Sequence, residues 1–101
     1  MTVAASAWAI DCRQVGGITK LVHLILADNV GGYNEDEVIV DDEWLADACG
    51  ITIDEAVEAL RELRAKRLIT KLGPMEDGQV LYEFFVGEPD YPQYLQPEVD
   101  R

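Results

Sequence analysis

The sequence is short of the residues from which metal sites and disulfide frameworks are built. It has two cysteines and one histidine among 101 residues, and Cys12 and Cys49 are far apart in the chain. A structural zinc site needs a set of Cys and His ligands at close spacing. The sequence therefore predicts no metal site, no cofactor and no disulfide framework.

Long apolar runs and catalytic signatures are missing as well. No segment approaches the roughly 18 apolar residues of a membrane span, and the segment from Met1 to Ala9 has no basic region typical of a signal peptide. No Gly-rich phosphate loop, nucleophile elbow or Ser/His/Asp arrangement is visible. We therefore expect a cytoplasmic, non-enzymatic protein with no membrane partner.

Positive charge is scarce and concentrated in one place. Twenty acidic residues face eight basic ones, for a formal net charge of -12. Such a chain is repelled by nucleic acid unless its bases are clustered. Five bases do lie within eleven positions: Arg61, Arg64, Lys66, Arg67 and Lys71. They either neutralise the end of a helix and pair with nearby acids, or contact a phosphate backbone.

What is present is the composition of one small folded domain. Hydrophobic residues make up 49% and charged residues 28% of the chain, which is ordinary for a globular protein. We predict a folded domain over residues 1–86. An extended C-terminal tail is predicted over residues 87–101, where Pro89, Pro92 and Pro97 interrupt regular structure.

The first predicted helix has Thr19 as its N-cap and runs to about Asn29. His23 lies off the apolar stripe of this helix and is interpreted as a surface residue. The preceding segment, residues 7–12, is either a short strand or the lead-in to the helix. The apolar residues at helical spacing, expected to face the core, are Ile18, Leu21, Val22, Ile25 and Leu26.

Two further helices flank a glycine turn. Asp41 or the residue after it is predicted to cap the second helix, which ends at Gly50. Thr52 is predicted to cap the third helix, with Glu55 completing a capping box. This third helix is expected to run to about Arg67.

Three short segments have the composition of strands. One is the β-branched run from Val38 to Val40. The other two cover residues 68–72 and 79–86 and enclose a turn-forming segment, so they form a hairpin. The sequence therefore predicts an α+β fold with three helices and a two- or three-stranded antiparallel sheet, with the option of an added N-terminal strand.

A set of residues along these elements carries a family resemblance: Lys20 to Asn29, Leu45-Ala46, Gly50, Val57, Ala59-Leu60, Leu63 and Leu68-Ile69. With these residues and this order of elements, the chain resembles the winged helix-turn-helix domain. It is similar to the N-terminal domain of phage replication-initiation (replisome-organiser) proteins and related bacterial regulators over roughly residues 8–86. The resemblance implies a winged helix with the hairpin as its wing and DNA contacts on the third helix.

Acidic residues occupy the positions where that family contacts DNA. Four of them centre roughly 165° from the apolar face of the third helix: Asp54, Glu55, Glu58 and Glu62. A carboxylate about 7 Å from a phosphate costs about 0.6 kcal/mol even in water, and each carboxylate would meet several phosphates. Non-specific DNA binding is worth only about 6–8 kcal/mol. Insertion of this helix into a major groove is therefore disfavoured.

The sequence thus predicts a regulatory protein of phage or mobile-element type whose acidic face binds another protein. It would act as a DNA mimic, an inhibitor or an assembly factor, and its partner would present a basic, nucleic-acid-binding surface. The predicted binding residues are Asp54, Glu55, Glu58, Glu62, Trp44, and Glu76 and Asp77 at the wing tip.

Two alternatives remain open on the residues alone. In the first, the protein regulates transcription or replication as a DNA-binding homodimer that uses the five clustered bases on the DNA backbone. In the second, the acids form only a solvated helix face, with Glu62 paired to Lys66. Trp44 either packs against its own fold or anchors a partner.

Overall fold

The computed structural model describes residues 3–32 and 35–86, which form an α+β fold with four α-helices and a three-stranded antiparallel sheet. The predicted tail, residues 87–101, lies outside the described residues. The elements are α1 (Val3–Asp11), α2 (Gly17–Asn29), β1 (Glu37–Val40), α3 (Asp42–Cys49), α4 (Ile53–Ala65), β2 (Ile69–Pro74), a 3₁₀ turn (Glu76–Gly78) and β3 (Val80–Phe84).

The sheet has the order β1-β3-β2, so the hairpin strand β3 is central. Val38 pairs with Tyr82 across β1 and β3, and Ile69 pairs with Phe84 across β2 and β3. The prediction of a third strand around residues 38–40 and of a C-terminal hairpin is confirmed.

The turn between α3 and α4 is encoded in its capping residues. The Asp41 carboxylate accepts a hydrogen bond from the Glu43 backbone N–H at 2.8 Å, and Gly50 ends α3 in the left-handed conformation with a φ of 69°. At the start of α4, the Thr52 hydroxyl and the Glu55 carboxylate each accept from the other residue's backbone N–H, at 3.0 and 2.9 Å. The predicted caps of both helices are confirmed.

The prediction of three helices is wrong, because α1 is a fourth helix where a strand had been an option. Its sequence is rich in alanine, the residue with the strongest helix propensity. Its residues are apolar except for Ser6 and Asp11, so it lacks the one-sided periodicity by which the other helices were found. Lys20 secures its end, since its Nζ donates to the carbonyl oxygens of Ala9, Ile10 and Cys12 at 2.6, 2.8 and 2.7 Å.

The buried face of α2 also differs from the predicted one. The buried residues are Thr19, Val22, His23, Leu26 and Ala27. This buried stripe has the predicted spacing but lies one residue later in the sequence. The helix is therefore rotated by about 100° about its axis relative to the prediction. Ile18 and Leu21 are consequently exposed. Thr19 lies inside the helix and Gly16 occupies the N-cap position.

His23 is completely buried, so its interpretation as a surface residue is wrong. Its imidazole stacks on the Phe84 ring at a centroid distance of 5.1 Å and an interplanar angle of 19°. The flat imidazole thus packs like an aromatic core residue against β3, although its two nitrogens make it polar in any periodicity count. The core around it includes the fully buried side chains of Leu26, Leu45 and Leu63.

Candidate functional site

An open groove runs between the first turn of α2 and the outer side of α4. Its volume is about 380 Å³. The lining residues are Ile18, Thr19, Asp54, Glu55, Glu58, Ala59 and Glu62. All four carboxylates that the sequence placed on the outer face of α4 therefore meet in one concave surface, which we call the acidic groove.

Glu62 is the most firmly held of these carboxylates. Its Oε1 accepts a hydrogen bond from the Thr19 hydroxyl at 2.6 Å, and its Oε2 lies 3.1 Å from Lys66 Nζ. The pKa of Glu62 is lowered, first by the hydrogen bond from Thr19 and then by Lys66. The predicted pairing of Glu62 with Lys66 is confirmed, and the carboxylate stays ionised at neutral pH.

The remaining carboxylates of the groove are exposed on the first two turns of α4. Glu58 forms an ion pair with Arg61. Glu55 completes the capping box, so its charge also stabilises the start of the helix. Asp54 lies in the same first turn, where the helix dipole favours a negative charge.

Two apolar residues and a hydroxyl complete the acidic groove, and the sequence did not reveal them. Ile18 is 40% exposed although it was expected in the core, and Ala59 is buried in the wall of the groove. Thr19 had been expected to cap its own helix. Thr19 and Glu62 are 43 positions apart, and no local pattern in the sequence signals that contact.

Trp44 lies in a different groove. That groove has a volume of about 480 Å³, and its lining residues are Asn29, Gly32, Val38, Ile39, Asp41, Trp44 and Gln79. Trp44 is 38% exposed, so its ring packs partly on its own fold and keeps one side open. Both alternatives for this residue are compatible with that position.

The two acids of the predicted wing tip are exposed on the 3₁₀ turn between β2 and β3. Neither Glu76 nor Asp77 lines the acidic groove or the Trp44 groove. The structure therefore brings together the four carboxylates of α4, and it places Trp44 and the wing tip outside that cluster.

The five clustered bases are all exposed, but they do not form a surface free of acids. Arg61 pairs with Glu58 and Lys66 with Glu62. Lys66 also donates to the carbonyl oxygen of Gln14. Arg67 lines a third groove, of about 260 Å³, together with the carboxylate residues Asp36 and Glu83.

The arrangement has the chemistry of a recognition surface for a cation. A groove lined by both apolar side chains and carboxylates complements an aliphatic stem that ends in a positive charge. Within residues 3–32 and 35–86, no group of three or more His, Cys, Asp or Glu side chains is placed to hold a metal ion. No helix in these ranges combines the length and hydropathy needed to cross a membrane.

The chain matches no protein-family model, and no curated protein or solved structure matches it.

Proposed function

We propose that this chain is a non-enzymatic regulatory protein of winged-helix type whose acidic groove binds a basic surface of another protein. The order of α2, β1, α3, α4 and the β2–β3 hairpin supports the winged-helix assignment, with α4 in the place of the recognition helix. The extra helix α1 precedes that arrangement. Within this proposal, the protein is a regulator of phage or mobile-element type.

The observation that carries the proposal is the clustering of four carboxylates in one groove together with the apolar side chains of Ile18 and Ala59. A lysine or arginine of the partner would lay its methylene stem against Ile18 and Ala59 and place its charge among Asp54, Glu58 and Glu62. Such a contact combines apolar burial with charge complementarity, which chiefly supplies specificity and a fast association rate.

The same surface is unfavourable for DNA. Asp54, Glu55 and Glu58 are exposed on the half of α4 that a winged helix would present to the major groove, and the lowered pKa of Glu62 keeps its charge in place. The two bases nearest these acids, Arg61 and Lys66, are engaged in ion pairs. A protein that carries phosphate-like charge on such a face is suited to imitate DNA rather than to bind it.

The test compares two double variants with the same change in net charge. Asp54→Lys with Glu58→Lys alters the acidic groove and spares Glu55, whose carboxylate closes the capping box. Asp28→Lys with Asp47→Lys alters exposed positions of α2 and α3 as the control. The binding of an oligolysine peptide is measured by fluorescence anisotropy at low and moderate salt, and NMR shift changes locate the contact.

We expect the groove variant to lose about tenfold or more in affinity for the peptide, and the control to lose less than about threefold. Equal losses in both variants would mean that diffuse net charge, and not the groove, binds the peptide. A mixed-sequence DNA duplex is titrated in parallel. Binding of DNA by the native chain that Arg64→Glu with Arg67→Glu abolishes would replace this proposal by the DNA-binding alternative.

A further inference from the structure

We propose that the Trp44 groove binds an extended segment of another protein, which adds a strand to the outer edge of β1 and stacks an arginine side chain on the Trp44 ring. The groove lies between β1, the start of α3 and the segment that follows α2. It shares no lining residue with the acidic groove, so the inference does not depend on the function proposed for that groove.

The outer edge of β1 carries backbone groups that point away from the sheet. The order of the sheet is β1-β3-β2, so β1 is an edge strand. The Phe84 N–H donates to the Asp36 carbonyl at 2.7 Å, and in an antiparallel pair only every second residue bonds to the neighbouring strand. Val38 and Val40 therefore bond to β3, whereas Ile39 directs its N–H and C=O outward. No described strand pairs with these two groups.

Backbone pairing along this outer edge has already begun within the chain. At the preceding outward position, the Glu37 carbonyl accepts a hydrogen bond from the Gly31 N–H at 3.1 Å, and Gly32 then lines the groove together with Ile39. Val38 lines it as well. Successive residues of a strand point to opposite faces of the sheet, so the groove lies at the edge of the sheet and not on one face. An extended peptide in the groove would pair with Ile39 as an added strand.

The Trp44 ring and the Asp41 carboxylate determine which side chain the groove prefers. Trp44 is 38% exposed, so part of its indole is open to a ligand. Asp41 is the one charged residue among the described lining residues, and the hydrogen bond from the Glu43 N–H uses one of its two oxygens. The planar guanidinium of arginine stacks on an indole while its N–H groups bind a carboxylate. A lysine ammonium has no flat surface to stack.

The charge of the surrounding chain favours a cationic ligand. Between Lys20 and Arg61 the sequence has eleven acidic residues and no lysine or arginine. Three of these acids, Asp41, Asp42 and Glu43, lie at the start of α3. Together they exceed the roughly half positive charge of the helix N-terminus. Nucleic acid and a second copy of this chain would both be repelled, so the charge favours an arginine-bearing segment of a different protein.

The test uses three blocked pentapeptides with uncharged, β-forming residues around a central arginine, lysine or citrulline. Citrulline keeps the planar shape of arginine without its charge. NMR titration of the full chain at physiological salt follows the indole N–H signal of Trp44 and the hydrogen exchange of the Ile39 amide.

Three variants assign the contact. Asp41→Asn removes the charge but keeps a residue that caps a helix, and Trp44→Leu removes the ring. Glu58→Gln is the matched control, because it removes one charge from the acidic groove and leaves the Trp44 groove unchanged. Circular dichroism checks that each variant is folded.

We expect the arginine peptide to bind at least about threefold more tightly than the lysine and citrulline peptides. Trp44→Leu and Asp41→Asn should each weaken the arginine peptide at least about threefold, and Glu58→Gln less than about twofold. The Ile39 amide should exchange more slowly in the complex, because an added strand accepts its hydrogen bond. Oligolysine binding should change less than about twofold in Asp41→Asn and Trp44→Leu, which separates this result from the fate of the acidic groove.

Three outcomes would overturn the inference. The first is an arginine peptide that does not bind, or that binds no better than its citrulline counterpart. The second is binding that Glu58→Gln weakens and Asp41→Asn does not, which would place the peptide in the acidic groove. The third is a complex in which the Ile39 amide exchanges as fast as in the native chain alone, since the peptide would then not extend the sheet.

Discussion

His23 shows most clearly how a single residue departs from its expected role. The imidazole is fully buried on Phe84, and neither ring nitrogen has a hydrogen-bond partner within the described residues. Burial, and then the nearby charge of Lys20, lower the pKa of His23 from 6.5 to about 4. The core therefore holds a neutral histidine, and protonating it is unfavourable in the folded state only.

His23 should make the protein less stable in mild acid. The unfolded chain binds a proton near pH 6.5 and the folded chain only near pH 4, so the free energy of unfolding falls as the pH drops through this interval. The loss attributable to this residue is at most about 3 kcal/mol. Urea unfolding between about pH 7 and pH 4 measures it.

The matched variant for this prediction is His23→Leu, which removes the titrating group and the two unpaired nitrogens. We expect it to be at least as stable as the native chain at neutral pH, because an apolar side chain of similar size leaves no buried polar atom without a partner. Its advantage should grow towards acid pH. An advantage that stays constant across the pH range would show that His23 has an ordinary pKa in the folded protein.

At the scale of the element, the caps of α3 and α4 were predicted correctly, whereas both the start and the buried face of α2 were displaced. The capping box of α4 and the glycine end of α3 involve residues within a few positions of each other. The face that α2 buries was displaced by one residue, because Thr19 and His23 were counted as polar although both point inward. Periodicity detects the spacing of a stripe, whereas the neighbouring elements decide which stripe is covered.

The end of α4 has the hydrogen bonds of a Schellman motif but no glycine. The Leu68 N–H donates to the Leu63 carbonyl at 2.9 Å and the Arg67 N–H to the Arg64 carbonyl at 3.0 Å. Arg67, with a φ of 61°, occupies the left-handed position where glycine is preferred. The side chains of Leu63 and Leu68 are both buried against this end. Tertiary packing thus holds a conformation that the local residue disfavours.

Arg67→Gly should stabilise the protein. Glycine adopts the left-handed conformation without the steric cost of a Cβ, which is worth about 1 kcal/mol after its greater freedom in the unfolded chain is counted. Thermal or urea unfolding measures the change. Arg67→Ala is the control, since it removes the same charge but keeps the Cβ. Equal stabilisation by both variants would assign the effect to the charge of Arg67 and not to its backbone.

At the scale of the whole molecule, the excess of acids is the dominant electrostatic feature. With a net charge of -12, the folded chain carries more self-repulsion than an expanded one. The ion pairs described, Glu58 with Arg61 and Glu62 with Lys66, lie at exposed or half-exposed positions. Such pairs contribute little to stability. Repulsion should therefore outweigh them.

Added sodium chloride should raise the midpoint of urea unfolding between low and moderate ionic strength, because it screens the repulsion among the acids. In the double variant Asp28→Lys with Asp47→Lys, each substitution adds two positive units, so the net charge changes from -12 to -8 and its magnitude falls. It should show a smaller salt effect than the native chain. A midpoint that falls with salt would mean that the ion pairs contribute more than the repulsion costs.

The sequence by itself determined the α+β class, the boundaries of α3, the start of α4, the hairpin and the acidic character of the outer face of α4. These features depend on turns, caps and side-chain spacings within a few residues, so they can be predicted from the sequence alone. The formal net charge likewise follows from the residue types alone.

Only the tertiary structure decided which of these residues meet. The hydrogen bond from Thr19 to Glu62 joins positions 43 apart, Ile18 lines the acidic groove instead of the core, and His23 stacks on Phe84 from the far end of the chain. Each of these contacts arises where one element covers another. Burial depends on two surfaces that pack together, and the sequence of one element describes only its own surface.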